Sequence, residues 1–367
     1  MKILVVAGAR PNFMKVAPIL AELRRHPGRF TPLLVHTGQH YDYRMSDVFF
    51  EDLDLPAPDC FLQAASGSPV AQTADILLKF EPVLQRERPD LVLVVGDVTS
   101  TPACALAASK LELPVAHVEA GLRSGDRRMP EELNRILTDS LADLLFTYSE
   151  DADAHLRAEQ VPDRCIHRVG NVMIDTLLRF RPRAAASRVL AELGVEPGGY
   201  GLVTLHRPSN VDEPEVFAGI LRALVAIQER LPLLFLAHPR TRANLTRFGL
   251  EEAVLRSGRL RLLEPVGYLD MLRLQSQARL VLTDSGGIQE ETTVLGVPCL
   301  TLRENTERPV TITHGTNLLV GTAAERIVSE TWRVLDTRTT APAPPPLWDG
   351  HSAERLVAVL SQGISRR

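Results

Sequence analysis

The sequence predicts an α/β protein made of two doubly wound domains, and three observations support this class. Short runs rich in β-branched residues alternate with longer segments of helical period, which is typical of a parallel sheet covered on both faces. This alternation runs to about residue 170 and restarts at residue 202. The length of 367 residues also suits two domains, since one domain takes roughly 150 residues.

The first domain is predicted to span residues 1–170 and to contain five strands. They are Lys2–Ala7, Leu33–Thr37, Leu91–Val95, Val115–Val118 and Leu144–Thr147. The segments between them carry apolar residues at helical spacing and are long enough for right-handed crossovers. The helices expected there are Met14–Arg25, Ala71–Arg88, Thr101–Leu111 and Glu131–Leu141.

The second domain is predicted to span residues 171–349, beginning with a helical bridge at Val172–Arg179 and a basic, Ala-rich stretch. Its expected strands are Leu202–Leu205, Leu233–Ala237, Leu260–Leu263, Leu280–Thr283 and Cys299–Leu302. The APAPPP segment at Ala341–Pro346 predicts an extended connector, because proline removes a hydrogen-bond donor and fixes φ. An amphipathic segment at Ser352–Leu360 predicts a short closing helix.

Composition excludes several classes of protein. With 41 Lys and Arg against 45 Asp and Glu, the formal charge is −4, so no extended basic surface for nucleic acid is expected. The four cysteines form no CxxC pair, which argues against a disulfide framework or a structural zinc site and favours a reducing compartment. No apolar signal region precedes the first strand, and no run of about 18 apolar residues occurs. We therefore expect a soluble cytoplasmic protein without a membrane partner.

The strongest local motif is TDSGGIQEE at Thr283–Glu291, which follows an apolar strand and opens a helix. Open α/β sheets bind ligands at the carboxyl ends of their strands, so such loops are where function is expected. Gly286 and Gly287 let the backbone approach a ligand closely, and Asp284 or Ser285 can cap the helix. The positive N-terminus of the helix attracts phosphate. A capped turn without a ligand is the alternative interpretation.

Two further loops carry cations or a histidine. The first loop, AGARPNFMK, follows the first strand and contains Arg10 and Lys15. The Arg10 guanidinium can bind an oxyanion through two N–H groups, and the Lys15 ammonium is a compact positive charge. Both side chains equally suit a solvated surface. His206 and Arg207 hold the equivalent place in the second domain, and histidine exchanges a proton near neutral pH, unless it is purely structural. No GxGxxG, GxxxxGK[ST] or HExxH motif occurs, so neither a nicotinamide cofactor nor a metal is expected.

Three carboxylates occupy loops after strands of the first domain. They are Asp97 in VVGDVTST, Glu119 in AHVEAGL and Glu131 in RMPEELNR. An acid directly after a buried strand is positioned toward the ligand-binding edge of the sheet. Each one alone equally suits a helix cap or an ion pair, and Arg135 lies at i+4 from Glu131.

Taken together and in this order, the motifs resemble those of the non-hydrolysing UDP-N-acetylglucosamine 2-epimerases. That family has two Rossmann-like domains facing across a cleft, the GT-B architecture known from one class of glycosyltransferases. HVEAGLRSGD leading into MPEELNR favours the non-hydrolysing group over its hydrolysing relatives. The match covers nearly the whole chain, through GARP with Lys15, TGQHYD at Thr37–Asp42, GDVTST, HVEAGLRSGD, MPEELNR, Gly170–Asn171, LHRPSN, TDSGGIQEE and TERP at Thr306–Pro309.

The resemblance implies a role for each candidate residue. Proton transfer falls to Asp97, Glu119 and Glu131, and contact with the UDP diphosphate falls to His206, Arg10, Ser285, Gly286, Gly287 and Arg308. Glu291 would hold the ribose hydroxyls, and the C-terminal helix, residues 350–367, would cross back onto the first domain. The family reaction eliminates UDP to leave a glucal and then adds UDP back to give the C2 epimer. A homodimer is also expected.

Departures from the family pattern leave the sugar open. Asn12 and Ser209 stand where many members carry Glu, and Val266 and Met271 replace residues that contact the uracil elsewhere. The TGQHYD, MSDVFF and SNVD segments resemble a subgroup associated with diacetamido sugars. A GT-B glycosyltransferase with a UDP-sugar donor is the main alternative function, and a non-catalytic nucleotide-sugar-binding regulator is the third. Three charged loops in the first domain favour proton transfer over acceptor binding.

Overall fold

The computed structural model describes residues 1–38, 50–65, 67–337 and 343–364. The chain divides into two compact units, one formed by Met1–Arg179 with Pro346–Arg367 and the other by Phe180–Pro345. Each unit has its own parallel sheet and its own hydrophobic core. The two doubly wound domains predicted from the sequence are confirmed.

The sheet of the first unit has seven strands in the order β3-β2-β1-β4-β5-β6-β7, all parallel. Strand order runs outward in both directions from β1 and β4, which is the switch point where doubly wound sheets bind ligands. The strands are β1 Lys2–Ala7, β2 Thr31–His36, β3 Cys60–Phe61, β4 Leu91–Val95, β5 Val115–Val118, β6 Leu144–Thr147 and β7 Ile166–Arg168.

Helices cover both faces of this sheet, so its central strands are nearly continuous apolar runs. Val92, Leu93 and Val94 of β4, for example, are fully buried. The helices are α1 Arg10–Arg24, α2 Pro69–Glu87, α3 Ser100–Lys110, α4 Pro130–Leu141, α5 Glu150–Ala158 and α6 Val172–Ala185.

The second unit repeats the plan with six parallel strands in the order β10-β9-β8-β11-β12-β13. They are β8 Gly201–Thr204, β9 Leu233–Leu236, β10 Leu260–Leu263, β11 Leu280–Thr283, β12 Cys299–Thr301 and β13 Asn317–Leu319. Its helices are α7 Val189–Leu193, α8 Pro208–Val211, α9 Pro214–Ile227, α10 Pro239–Arg247, α11 Glu251–Arg256, α12 Tyr268–Ser276, α13 Gly286–Leu295, α14 Val310–Thr313 and α15 Ala324–Asp336.

The last helix, α16 (Ser352–Leu360), returns to the first unit, as predicted, and packs against α1. The Asp175 carboxylate accepts hydrogen bonds from the backbone N–H groups of Ser352 and Ala353, at 3.1 and 2.7 Å. Upstream of the helix, the Trp348 indole donates to the Tyr148 carbonyl at 3.1 Å. These contacts fix the C-terminal segment to the unit that the N-terminus begins.

The sequence-based prediction missed three strands and shortened one helix. Strands β3, β7 and β13 have two or three residues each and lie at or next to sheet edges, so no apolar run marks them. Helix α6 continues through the basic stretch to Ala185 with Pro182 inside it, since alanine and arginine are strong helix formers.

Some predictions lie outside the described residues. These are most of the TGQHYD and MSDVFF segments and the first two residues of the APAPPP connector. Across the ranges that the structure describes, no helix has both the length and the apolar composition needed to cross a bilayer.

Candidate active site

In the first unit, the predicted site residues follow three adjacent strands. Arg10 comes just after β1 and begins α1, Asp97 follows β4, and Glu119 follows β5. Because β1, β4 and β5 are neighbours in a parallel sheet, their carboxyl ends share one edge. Glu131 is half-buried in the first turn of α4, where the helix dipole favours a negative charge.

Lys15 and Glu119 form a buried ion pair. Their side chains are only 5% and 7% exposed, and Lys15 Nζ contacts Glu119 Oε2. Gly96 lies directly against this pair, since a Cβ at that position would come within 2.7 Å of Lys15 Nζ, and its φ of +66° also favours glycine. The sequence analysis predicts that Lys15 is a cation at the same sheet edge as Arg10. In the structure the Lys15 ammonium contacts Glu119, one of the three carboxylates predicted to transfer protons.

The backbone of Glu119 has an unusual conformation. Its φ is +74°, which a non-glycine residue adopts at a cost of about 1–3 kcal/mol. The N–H groups of Glu119 and Ala120 both donate to the Phe146 carbonyl of β6, at 3.0 and 3.1 Å. Both the main chain and the carboxylate of Glu119 are therefore fixed by neighbouring elements.

Asp97 is held by a buried arginine. Arg135, with a side chain 1% exposed, donates from Nη1 to Asp97 Oδ2 at 2.5 Å and from Nη2 to Glu132 Oε2 at 2.6 Å. Glu132 also accepts from the N–H groups of Ser124 and Gly125. Burial raises the Glu132 pKa, but these hydrogen bonds and the guanidinium outweigh burial and lower it. Asp97 itself remains 22% exposed and so keeps an accessible edge.

His117 links this sheet edge to α4 through two contacts of its ring. Its ring is fully buried, with Nδ1 2.6 Å from Asp139 Oδ1 and Nε2 2.9 Å from the Gly96 carbonyl. Arg123 also contacts Asp139, at 2.7 Å. Both ring nitrogens of His117 thus lie within hydrogen-bond distance of a partner. Sequence reasoning missed His117, Asp139 and the Asp97 contact of Arg135, because their partners are distant in the chain.

In the second unit, the SGG turn opens α13 as predicted, but its contacts differ from those expected. Ser285 is the N-cap residue, yet its side chain makes no capping hydrogen bond. Asp284 does not cap the helix either, because its carboxylate is turned toward the loop after β8. Gly286 lies directly against the Arg308 guanidinium, since a Cβ at this position would overlap it. The arginine thus lies against the helix N-terminus.

Arg308 belongs to a buried charge network. Its Nε donates to Glu290 Oε1 at 2.7 Å and its Nη1 contacts Glu307. Arg303 and Arg207 lie 2.8 and 3.7 Å from the same Glu307. Burial raises the Glu307 pKa, but the surrounding guanidinium groups hold it well below its usual range. Three guanidinium groups are therefore gathered around Glu307, beside α13.

His206 lines a pocket of about 160 Å³ within the second unit. Its side chain is 42% exposed, and its Nδ1 is 2.9 Å from Asp284. The pocket has largely apolar walls with imidazole groups at one side, which suits a planar base next to polar substituents. Its lining includes His206, Leu236, His238, Pro265, Val266 and Met271.

Glu291 is buried in α13, where the Tyr268 hydroxyl donates to its Oε1 at 3.4 Å. Burial raises the Glu291 pKa to about 7. Burial separates this carboxyl group from water. The two hydroxyl groups of a bound ribose would replace the hydrogen bonds that water would otherwise make.

Neither metal nor disulfide chemistry has support in the described ranges. No group of three or more His, Cys, Asp or Glu side chains there is placed to hold a metal ion. The cysteines at positions 60, 104, 165 and 299 are all unpaired.

These features define a class, the nucleotide-sugar enzymes with two Rossmann-like domains of the GT-B type. The chain belongs to the UDP-N-acetylglucosamine 2-epimerase family, whose sequence profile matches residues 21–361. This membership decides between the two enzyme classes that the sequence left open, in favour of the epimerase.

Relatives of known name cover most of the chain. A UDP-N-acetylglucosamine 2-epimerase of Methanocaldococcus jannaschii is 40% identical over 99% of this chain and 100% of its own. A UDP-2,3-diacetamido-2,3-dideoxy-D-glucuronate 2-epimerase of Pseudomonas aeruginosa is 44% identical over 89% of this chain and 90% of its own.

Solved structures agree with the fold. The M. jannaschii epimerase in complex with UDP-GlcNAc and UDP has a TM-score of 0.91 at 40% identity, covering 99% of this chain and 100% of that one. The Neisseria meningitidis epimerase bound to UDP-GlcNAc has a TM-score of 0.89 at 29% identity, with the same coverage of both chains.

Proposed function

We propose that this enzyme interconverts UDP-N-acetylglucosamine and UDP-N-acetylmannosamine by eliminating UDP and adding it back. The observation that carries the proposal is the pairing of Glu119 and Asp97 with buried cations at one sheet edge. Two carboxylates fixed in this way, with Glu131 in the first turn of α4, supply acid and base groups for a proton transfer.

The chemistry explains why proton transfer needs a leaving group. The C2 hydrogen of a glycosyl nucleotide lies next to no carbonyl, so a base alone does not remove it at a useful rate. As the C1–O bond breaks, its electron pair leaves with UDP, and a carboxylate takes the C2 proton while the C1–C2 double bond forms. Proton delivery to the opposite face of C2 and attack of the UDP oxygen on C1 then give the epimer.

In this proposal the first unit handles the proton. The ammonium of Lys15 and the guanidinium of Arg135 stabilise the charged forms of Glu119 and Asp97. A charged carboxylate both accepts the C2 proton and opposes the positive charge that develops at C1. Lys15 therefore acts through Glu119, and Glu131 is the third carboxylate proposed for proton transfer.

The second unit would stabilise the leaving diphosphate. Arg308 would supply fixed positive charge, and His206 and the Ser285–Gly286–Gly287 turn would supply N–H donors. The place of the Arg308 guanidinium against the N-terminus of α13 supports this role. The pocket beside His206 would take the uracil, and Glu291 the ribose hydroxyls.

A second candidate substrate is a UDP-2,3-diacetamido glucuronate, which differs from UDP-N-acetylglucosamine in its C3 and C6 substituents. The P. aeruginosa relative, at 44% identity, acts by its name on a UDP-2,3-diacetamido glucuronate. The test is a proton NMR time course of purified enzyme with each UDP-sugar alone and no acceptor. We expect manno signals to grow from UDP-N-acetylglucosamine until equilibrium. Conversion of the diacetamido glucuronate alone would instead assign the second substrate, and inertness toward both would refute the function.

We also propose that the enzyme is a homodimer that buries an apolar face of the first unit. Val70 and Leu78 on α2 are 79% and 71% exposed, and Leu137 on α4 is also exposed. Helix α3 packs against both α2 and α4, so the three helices lie side by side on one layer. Burying these side chains against a second copy would remove apolar surface from water.

Light scattering after gel filtration tests this surface. Leu78→Asp is expected to halve the mass of the wild-type particle, whereas Ile312→Asp, an exposed apolar position of the second unit, is the control and should not. A monomeric wild type, or a Leu78→Asp variant that stays dimeric, would contradict the assignment.

A further inference from the structure

Asp284 is a fully buried carboxylate that does not cap the helix it precedes. It accepts hydrogen bonds from the backbone N–H groups of His206, at 3.0 and 3.1 Å to its two oxygens, and of Arg207, at 2.9 Å. Asn210 Nδ2 adds a fourth, at 3.2 Å. All three donor residues belong to the loop after β8 and the short helix that follows it. The carboxylate thus joins the end of β11 to the loop that carries His206.

The same carboxylate holds one side of the His206 ring. His206 Nδ1 lies 2.9 Å from Asp284 Oδ1, and a carboxylate oxygen only accepts, so Nδ1 carries a proton. Nε2 is on the opposite edge of the ring, and the half-exposed His206 side chain lines the pocket. The ring orientation is therefore set by Asp284.

The Asp284 carboxylate is the charged member of this pair. Burial raises the Asp284 pKa, but the His206 imidazole and the two backbone N–H groups outweigh burial and lower it, so the carboxylate is ionised at neutral pH. The other titratable ring near His206 is that of His238, with centroids 6.3 Å apart.

We propose that Asp284 is a positioning residue that keeps His206 Nδ1 protonated and presents Nε2–H to the departing diphosphate. This inference rests on the proposed function. A neutral ring protonated at Nδ1 alone would direct a bare nitrogen lone pair at the phosphate oxygens, whereas the imidazolium donates a hydrogen bond from Nε2. That bond strengthens as the C1–O bond breaks and negative charge grows on the leaving group.

A double-mutant cycle tests the coupling through turnover. Asp284→Asn is expected to lower kcat about 10²-fold, the size of a typical general acid–base contribution, with a smaller change in KM. In a His206→Asn background the same change should cost less than about twofold, since its effect passes through the imidazole. Asp175→Asn is the matched control, because Asp175 is a buried carboxylate that accepts two backbone N–H bonds, both from α16. It should leave kcat unchanged.

A spectroscopic readout separates this proposal from a failure of the proposed function. Long-range proton–nitrogen NMR spectra of nitrogen-labelled wild type, assigned with His206→Asn, should show both ring nitrogens of His206 protonated in the UDP complex at pH 7. In Asp284→Asn the Nδ1 proton should be lost. This measurement needs no turnover and holds whichever sugar is the substrate.

Several results would overturn the proposal. One is a wild-type UDP complex in which His206 is neutral or lacks the Nδ1 proton. Another is an equal loss of kcat from Asp284→Asn in both backgrounds, which would assign Asp284 a structural role only. The wild-type spectrum alone can refute the proposal, so this test does not require the Asp284→Asn variant to fold.

Discussion

Replacing Lys15 with methionine removes the ammonium that faces Glu119 and leaves a carboxylate 7% exposed without this partner. Removing one member of a buried ion pair costs about 3–5 kcal/mol, because the remaining charge stays desolvated. Glu119 is also held at a φ of +74° by the Phe146 carbonyl, so its backbone cannot readily turn the carboxylate to solvent. We therefore expect Lys15→Met to lower the free energy of unfolding of the first unit by about 3 kcal/mol.

The assay uses the two tryptophans of the chain. Trp348 lies in the first unit and Trp332 in the second, so a Trp332→Phe background makes fluorescence report on the first unit alone. With a urea m-value of about 2 kcal/mol/M, a loss of about 3 kcal/mol moves the midpoint down by about 1.5 M.

The double variant Lys15→Met/Glu119→Gln is the control for this effect. It removes both charges and should recover most of the lost stability, because a neutral pair of similar shape carries no uncompensated charge. An unchanged midpoint in Lys15→Met, or purely additive losses in the double variant, would show that the pair is not coupled and would refute the reasoning.

Two further predictions concern the nucleotide side and the sugar side of the site. The Glu291 pKa of about 7 lies above its unfolded value of about 4.5, so stability from this group is full below pH 4.5 and is lost as pH rises through 7. In a Trp348→Phe background, whose fluorescence comes from Trp332 alone, stability in urea should fall by up to about 3 kcal/mol across this window. Adding Glu291→Gln should remove that slope. Equal slopes in both proteins would exclude Glu291 as the cause. Arg308→Ala should weaken UDP binding, whereas Asp97→Asn should cut turnover and keep the UDP Kd within a few-fold in calorimetric titration. A large loss of UDP affinity in Asp97→Asn would contradict its place on the sugar side.

The central strands could be predicted from the sequence because burial on both faces makes them continuous apolar runs. Strands β1, β4 and β11 have the predicted bounds for this reason. Edge strands such as β3 and β13 pair on one side only and are too short to show a pattern.

For the candidate site, the sequence predicts where the residues lie in the fold but not which side chains they contact. Parallel topology places Asp97 and Glu119 at one sheet edge, which the order of strands indicates before any contact is known. Their partners lie 38 and 104 residues away in the chain, and Asp284 lies 78 residues from His206. The expectation that Asp284 or Ser285 caps α13 used local rules alone, and it was wrong because a tertiary contact holds Asp284.

Deuterium incorporation at C2 tests the central claim most directly. In the elimination path the C2 hydrogen leaves as a proton and returns from a group that exchanges with solvent. Incubating UDP-N-acetylglucosamine with the enzyme alone in deuterated water should yield gluco and manno UDP-sugars that are both one mass unit heavier, with the label at C2. Epimerised product that retains the original C2 hydrogen would contradict proton abstraction by these carboxylates, and an unlabelled, unepimerised pool, repeated with the diacetamido glucuronate, would contradict the epimerase function itself.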